Sequence, residues 1–402
     1  MWIERHTDGV SLPPLVEPGP PLPQDQLERY SRHVLLPQIG LLGQRRLAAA
    51  RVLVAGAGGL GSPVLTYLAA AGVGTIAIVD DDVVDVSNLQ RQVVHGQEDV
   101  GSPKVISAAA TIAQINPFVQ VTPIGMRLTE ANALGLLTGY DLVIDGTDTF
   151  ATRYLISDAC AVLGVPCVWG SVYRFDGQVS VFWSAPPAPA QPVTYRDLHP
   201  SPPPPGSVPS CAEGGVLGAT CAAIGAAMAT EALKLICGIG ESLLGRVMMF
   251  DALRASWDTI GVRRAAHAQP VTALADDYEA FCGLPERPAE SIGVHELAAW
   301  LAERDRGVRD FVLIDVREPF ERELAVIPGA VGIPFARLTA DVAGCLEEAG
   351  AVQRPVVLHC KSGARSARAL NALQDAGFPG ALHVEGGVLA WVREIDRSQP
   401  LY

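Results

Sequence analysis

Short apolar runs alternate with longer amphipathic stretches through most of the chain, and the runs end on polar or glycine-rich turns. Residues 51–55, 75–79, 119–124, 141–145, 165–169 and 178–182 read as strands, because β-branched residues crowd into windows too short for a helix. Between them, 61–72, 102–115, 130–137 and 151–163 read as helices. This alternation predicts a mixed, mainly parallel α/β sheet with helices on both faces. Ligands of such sheets gather at the carboxyl ends of the strands. Residues 291–400 repeat the pattern on a smaller scale, with strands at 311–317 and 355–360 and a helix from about 366 to 374. Three segments stand apart. Residues 1–25 are proline-rich and unpatterned, which predicts a flexible arm. Residues 185–209 carry Pro202 to Pro205 and predict a surface crossover loop. Residues 266–290, with Pro270, Pro285 and Pro288, predict a linker between domains at 26–265 and 291–400.

Composition narrows the class. The chain has 402 residues, 49% apolar and 18% charged, with a net charge of −13. That length suits two domains or three, and that charge argues against nucleic-acid binding through a basic surface. The most apolar stretch, 216–239, carries Glu231 and Lys234 and reads as a core helix rather than a membrane span. The start of the chain lacks the basic segment and apolar run of a signal peptide. The eight cysteines form no C-x-x-C pair, so free thiols in a reducing cytoplasm are expected.

The chemistry is concentrated at three places. Gly56-Ala-Gly58-Gly59-Leu-Gly61 follows the first strand and opens a helix, the arrangement in which backbone N–H groups approach a phosphate. Asp80 ends the next strand, where an acid can take ribose hydroxyls. Arg91 and Lys104 come soon after, which a redox site does not need and a triphosphate site does. Alone, Lys104 also reads as a solvated helix lysine and Arg32 as a surface arginine. Asp148, in the turn after strand 141–145, suits Mg²⁺, and it or Thr149 also suits a helix N-cap. Cys211, beside Gly214-Gly215 at the edge of the proline-rich loop, is either an activated thiol or an ordinary buried one. Cys360 ends a strand and begins Lys361-Ser362-Gly363-Ala364-Arg365. Inward N–H groups and Arg365 would favour a thiolate or persulfide there. Four residues separate Cys360 from Arg365, one fewer than in tyrosine phosphatases, so the ring suits one sulfur atom better than a phosphate.

Arg29-Tyr-Ser-Arg32-His, the Gly56–Gly61 turn, Asp80, Ser87-Asn-Leu-Gln-Arg-Gln92, Gly101-Ser-Pro-Lys104, Gly146-Thr-Asp148 and Cys211-Ala-Glu-Gly-Gly-Val-Leu-Gly218 together resemble the MoeB/ThiF adenylyltransferases, which are related to ubiquitin-activating enzymes. Asp315-Val-Arg-Glu318, Ile327-Pro-Gly-Ala330, the Cys360–Arg365 loop, Gly386-Gly387 and Trp391 resemble a rhodanese domain. The resemblance implies a Rossmann-like adenylation domain. It would activate the C-terminal Gly-Gly carboxylate of a ubiquitin-fold sulfur-carrier protein with ATP, and a Cys360 persulfide would then supply sulfur to give a thiocarboxylate. It assigns ATP binding to Gly56, Gly58, Gly59, Asp80, Ser87, Asn88, Leu89, Gln90, Arg91, Lys104, Asp148 and Thr149, with Mg²⁺ on Asp148. Arg32 would reach the triphosphate of a neighbouring subunit, implying a homodimer. Cys211 would form a covalent link to the carrier. A cysteine desulfurase or thiosulfate would load Cys360. The carriers of this chemistry serve molybdopterin, cysteine, thiamine and other sulfur metabolism.

Two departures matter. Many relatives hold a structural zinc on two C-x-x-C pairs, but here the first pair falls on Thr194 and Asp197, and 265–282 holds only Cys282. No structural zinc is expected. Thr149 stands where asparagine is frequent in the family, which weakens a nucleotide role there. Two other classes compete: an NAD-dependent oxidoreductase with an accessory rhodanese domain, and a non-enzymatic scaffold for ubiquitin-like proteins.

Overall fold

The computed structural model describes residues 10–203, 215–264, 268–282 and 290–402. The chain divides into two compact units, Met1–Leu284 and Pro285–Tyr402.

The first unit is built on strands β1 Arg51–Ala55, β2 Thr75–Val79, β3 Gln120–Ile124, β4 Leu142–Asp145, β5 Cys167–Tyr173, β6 Asp176–Phe182, β7 Arg246–Asp251 and β8 Ser256–Gly261. Their order across the sheet is β3-β2-β1-β4-β5-β6-β7-β8. The first five run parallel and the last three antiparallel. β1 is central because Val52, Leu53 and Val54 are fully buried on both faces, as a strand covered by helices on both sides requires. β1 pairs with β2 on one side and β4 on the other. That is where the strand order reverses, so a crevice opens beyond their carboxyl ends.

The expected helices form at Gly61–Ala71, Lys104–Ile115, Ala133–Leu137 and Phe150–Leu163. Helix Gly218–Cys237 is the apolar stretch noted above. Among the described residues it alone is long and apolar enough to cross a membrane. It packs instead against helix Gly61–Ala71 and strands β5 and β6, and its buried Glu231 pairs with Lys234 one turn on.

Two segments depart from expectation. The arm is packed from residue 10: Leu12 is buried, Leu15 N donates to Leu235 O at 3.0 Å, and Gly19 N donates to Arg45 O at 3.1 Å. Proline removes donors, yet the N–H groups of Leu15 and Gly19 find carbonyl partners on two helices. The expected linker is also shorter than its composition suggests. Helix Tyr278–Phe281 belongs to the first unit, with Tyr278 buried and its hydroxyl donating to Asp158 at 2.6 Å.

The second unit is a five-stranded parallel sheet, β11-β10-β12-β13-β9, from β9 Ser291–Ile292, β10 Val312–Asp315, β11 Val331–Gly332, β12 Val356–His359 and β13 Leu382–Val384. Apolar clusters cover it on both sides. β12 lies inside the sheet and delivers Cys360 to its carboxyl edge.

Candidate functional site

The Gly56–Gly61 turn is shaped by two close approaches. A Cβ on Gly61 would lie 1.9 Å from Gly56 O, and one on Gly56, where φ is +91°, would press on Gly146 O at 3.2 Å. The loops after β1 and β4 therefore cross in contact, and glycine permits both the dihedral and the crossing. Asp80 fastens the first loop: its carboxylate accepts from Ala57 N at 2.8 Å and from Asp82 N at 2.9 Å. His95 supports it from behind. Its Nε2 lies 3.0 Å from Ala57 O and its Nδ1 2.8 Å from Ser107 Oγ. Burial lowers the His95 pKa, so the ring is neutral near pH 7.

A cavity of about 340 Å³ opens above these loops. Gly56, Gly58, Gly59, Asp80, Arg91, Lys104, Asp148 and Thr149 all line it. Lys104 is buried, with Nζ 2.7 Å from Asp82 Oδ2. Arg91 Nη1 donates to Ser87 O at 3.0 Å. Thr149 caps helix Phe150–Leu163, accepting from Thr152 N at 3.3 Å. Asp145, fully buried behind the turn, accepts from Thr147 N and Oγ1 at 3.0 and 2.7 Å, and burial raises its pKa.

Other placements differ from expectation. Ser87, Asn88, Leu89 and Gln90 do not line this cavity. They form a turn closed by Asp85, whose carboxylate accepts from Ser87 N at 2.8 Å, and the turn delivers Arg91 and Gln92 to the wall. Arg32 is exposed on helix Ser31–Val34 and does not line its own chain's cavity. Cys211 lies outside the described residues. Sequence reasoning missed Gln92, Arg127, Arg153 and Cys221, which also line the cavity. Arg153 donates to Thr147 O at 3.1 Å and stands over Trp169. Its place one turn into a helix that starts beside Asp148 was the available signal.

The donor set fits a nucleoside triphosphate with a divalent cation. The glycine loop supplies N–H groups at a helix start, Lys104 and Arg91 supply positive charge, and Asp148 offers an exposed carboxylate. Asp80, Asp81 and Asp82 also cluster at the rim, but Asp80 already holds two N–H groups and Asp82 holds Lys104.

In the second unit Cys360 is buried at 1% exposure. Its Sγ accepts from Gly363 N at 3.1 Å and lies 3.6 Å from Ser366 Oγ. Gly363 has φ +102°, which turns its N–H inward. Arg365 departs from expectation: its guanidinium grips Glu321 with two bonds of 2.6 and 2.7 Å, both side chains buried. Its charge is thus balanced by a carboxylate from outside the loop. Behind the loop, Arg317 is fully buried against Asp315, Nη2 to Oδ2 at 2.6 Å. Burial pushes His359 down to about 4.

The family model for ThiF matches residues 30–271, more than half the chain. The chain belongs to the ThiF family. The rhodanese-like domain model matches residues 295–394. Over 401 residues the chain is 51% identical to the probable adenylyltransferase/sulfurtransferase MoeZ of Mycobacterium tuberculosis, covering 98% of this chain and 100% of that protein. It is 40% identical to the adenylyltransferase and sulfurtransferase MOCS3 of Bos taurus, covering 96% and 90%. It is 50% identical to a sulfur carrier protein adenylyltransferase of Thermus thermophilus, covering 65% and 98%. Among solved structures, E. coli MccB superposes with a TM-score of 0.54 at 19% identity, covering 61% of this chain and 74% of that one, a likeness of fold. The chain is an enzyme, an ATP-using adenylyltransferase joined to a sulfurtransferase. Neither a nicotinamide oxidoreductase nor a non-catalytic scaffold finds support among these relatives.

Proposed function

We propose that this enzyme adenylates the C-terminal Gly-Gly carboxylate of a ubiquitin-fold sulfur-carrier protein and then replaces one of its oxygens with sulfur carried on Cys360. One observation carries the reading: a phosphate-type glycine loop, two cations and a carboxylate share one cavity, while a separate loop turns the Gly363 N–H and the Ser366 hydroxyl towards the sulfur of a buried cysteine. In the first step a carboxylate oxygen bonds to the α-phosphorus and pyrophosphate leaves. Arg91 and Lys104 offset the growing phosphate charge, and Asp80 binds ribose while holding the loop. Mg²⁺ on Asp148 would neutralise phosphate charge when bound. In the second step the outer sulfur of a Cys360 persulfide bonds to the acyl carbon and AMP leaves. A cellular dithiol then cleaves the acyl disulfide, freeing the thiocarboxylate and the Cys360 thiol. On the alternative route the Cys211 thiol first displaces AMP, forming a thioester with the carrier, and is itself released when the persulfide attacks.

Arg32, exposed and away from its own cavity, acts in a partner's site, so the working form is a homodimer. The setting is cytoplasmic, with no structural zinc. The sulfur donor is a cysteine desulfurase or thiosulfate, and the product feeds molybdopterin, cysteine or other sulfur metabolism.

The test is intact-mass measurement of Gly-Gly carriers incubated with ATP and a sulfur donor. Exchange of one oxygen for one sulfur is expected. Cys360→Ala should keep ATP–pyrophosphate exchange and lose sulfur transfer, and Asp148→Ala should lose both. Mixing Arg32→Ala with Asp148→Ala should restore up to about a quarter of the activity, since one site in half the dimers is intact. No pyrophosphate exchange with any carrier refutes the reading, and no restoration refutes the shared site.

A further inference from the structure

We infer that Tyr402 is a positioning residue for sulfur transfer: it holds the Lys361 ammonium at the mouth of the Cys360 loop, where an anionic partner must approach. The inference rests on the reading of Cys360 as the sulfur-bearing residue.

Three contacts converge on Tyr402. Its hydroxyl accepts from Nη1 of Arg317. Its ring lies under Lys361, with Nζ 4.9 Å from the ring centre. The ring also packs at the edge of the apolar cluster formed by Val384, Val388 and Trp391. Arg317 is among the most firmly held side chains in the unit. It is fully buried, paired with Asp315, and donates to Glu321 O at 3.2 Å and Ala325 O at 2.8 Å. Tyr402 therefore stands on a rigid base and offers a π-face to the first residue after Cys360. Lysine has a flexible stem and a strongly hydrated charge. An aromatic face in a half-buried site fixes such a charge where solvent alone would not.

The loop gives this placement its purpose. Arg365, its other cation, is gripped by the Glu321 carboxylate. Arg317 also binds the backbone of Glu321, so one buried guanidinium braces both flanks of the loop, through Glu321 and Arg365 on one side and through Tyr402 and Lys361 on the other. With Arg365 balanced, the placement of Lys361 sets much of the charge that meets an incoming acyl-adenylate or an anionic sulfur donor.

The experiment compares alkylation of Cys360 by iodoacetate, an anion, with alkylation by neutral iodoacetamide. Rates are read by peptide mass spectrometry on the full-length chain at fixed pH. The ratio of the two rates reports local positive charge and cancels general changes in access. Tyr402→Leu should lower the ratio about fivefold, the scale of one unit charge displaced near a reacting anion in a half-wet site. It should slow sulfur transfer by a similar factor and leave pyrophosphate exchange unchanged. Tyr402→Phe, which keeps the ring, should stay within about twofold of the parent. Lys361→Met should match Tyr402→Leu, and the double variant should fall no further. A parental ratio in Tyr402→Leu overturns the inference. Should that variant misfold, a parental ratio in Lys361→Met overturns it equally. If the parent never acquires sulfur on Cys360 while the ratios behave as described, the reading of Cys360 has failed and the placement of Lys361 stands.

Discussion

Replacing Asp158 with alanine should destabilise the first unit by about 3–4 kcal/mol. Asp158 lies on helix Phe150–Leu163 with its side chain only 2% exposed. Its carboxylate accepts from Arg196 Nε at 2.9 Å, Arg196 Nη2 at 2.7 Å and the Tyr278 hydroxyl at 2.6 Å. Breaking a buried ion pair costs about 3–5 kcal/mol. Arg196 retains 26% exposure and can rehydrate, which places its share near the low end of that range. The stranded Tyr278 hydroxyl adds about 1 kcal/mol. Asp158→Asn keeps one acceptor oxygen and should cost about half as much. Urea unfolding followed by tryptophan fluorescence measures this, because Trp169 lies 5.5 Å from the Tyr195 ring, next to Arg196. The same region bears on the metal. Thr194 and Asp197, where the family resemblance leads one to expect a cysteine pair, close a capping box: Thr194 N donates to Asp197 Oδ2 at 2.7 Å and Thr194 Oγ1 to the same atom at 2.9 Å. If polar contacts do the fastening, 1,10-phenanthroline should leave the unfolding midpoint unmoved. A loss below about 0.5 kcal/mol in Asp158→Ala, or a midpoint lowered by chelator, refutes the reasoning.

Three further outcomes are expected. Gly61→Ala should abolish ATP–pyrophosphate exchange while circular dichroism stays near that of the parent, because its Cβ would sit 1.9 Å from Gly56 O and force the turn open. Glu321→Gln should destabilise the second unit by about 3 kcal/mol in urea, since Arg365 loses a bidentate partner, and should leave adenylation unchanged. Acid should weaken the second unit through His359. Its folded pKa is pushed down to about 4 from 6.5, so between those values the unfolded chain binds a proton that the folded chain does not. Stability is then full above pH 6.5 and falls as pH drops towards 4, by about 3 kcal/mol. Urea midpoints across that range, steeper in the parent than in His359→Gln, check it.

The parallel half of the first sheet was legible because each strand is a run of β-branched residues ended by glycine or a polar turn, as at Arg51–Ala55 and Leu142–Asp145. The glycine loop, Asp80, Lys104 and the Cys360 loop were legible for a related reason: their chemistry is local in sequence. What escaped depends on distant partners. Glu321 neutralises Arg365 from 44 residues away. Tyr278 reaches Asp158 across 120 residues, so a segment that reads as a linker is part of the domain. Hairpin β7–β8 was missed although Met248, Phe250 and Trp257 carry strand character. β8 is exposed along most of its length, and its alternation does not mark a buried face. Proline content misjudged residues 10–23, where Leu12 is buried and Leu15 and Gly19 bond to neighbouring helices.

The contact between Gly56 and Gly146 has a consequence for engineering. The two loops touch backbone to backbone, so the phosphate-facing turn and the turn bearing Asp148 cannot be redesigned separately. A side chain grafted onto one would push the other, and with it the Asp148 carboxylate on the cavity wall. Attempts to change base or phosphate preference in this scaffold should therefore vary both turns in one library, since paired changes have solutions that single changes do not.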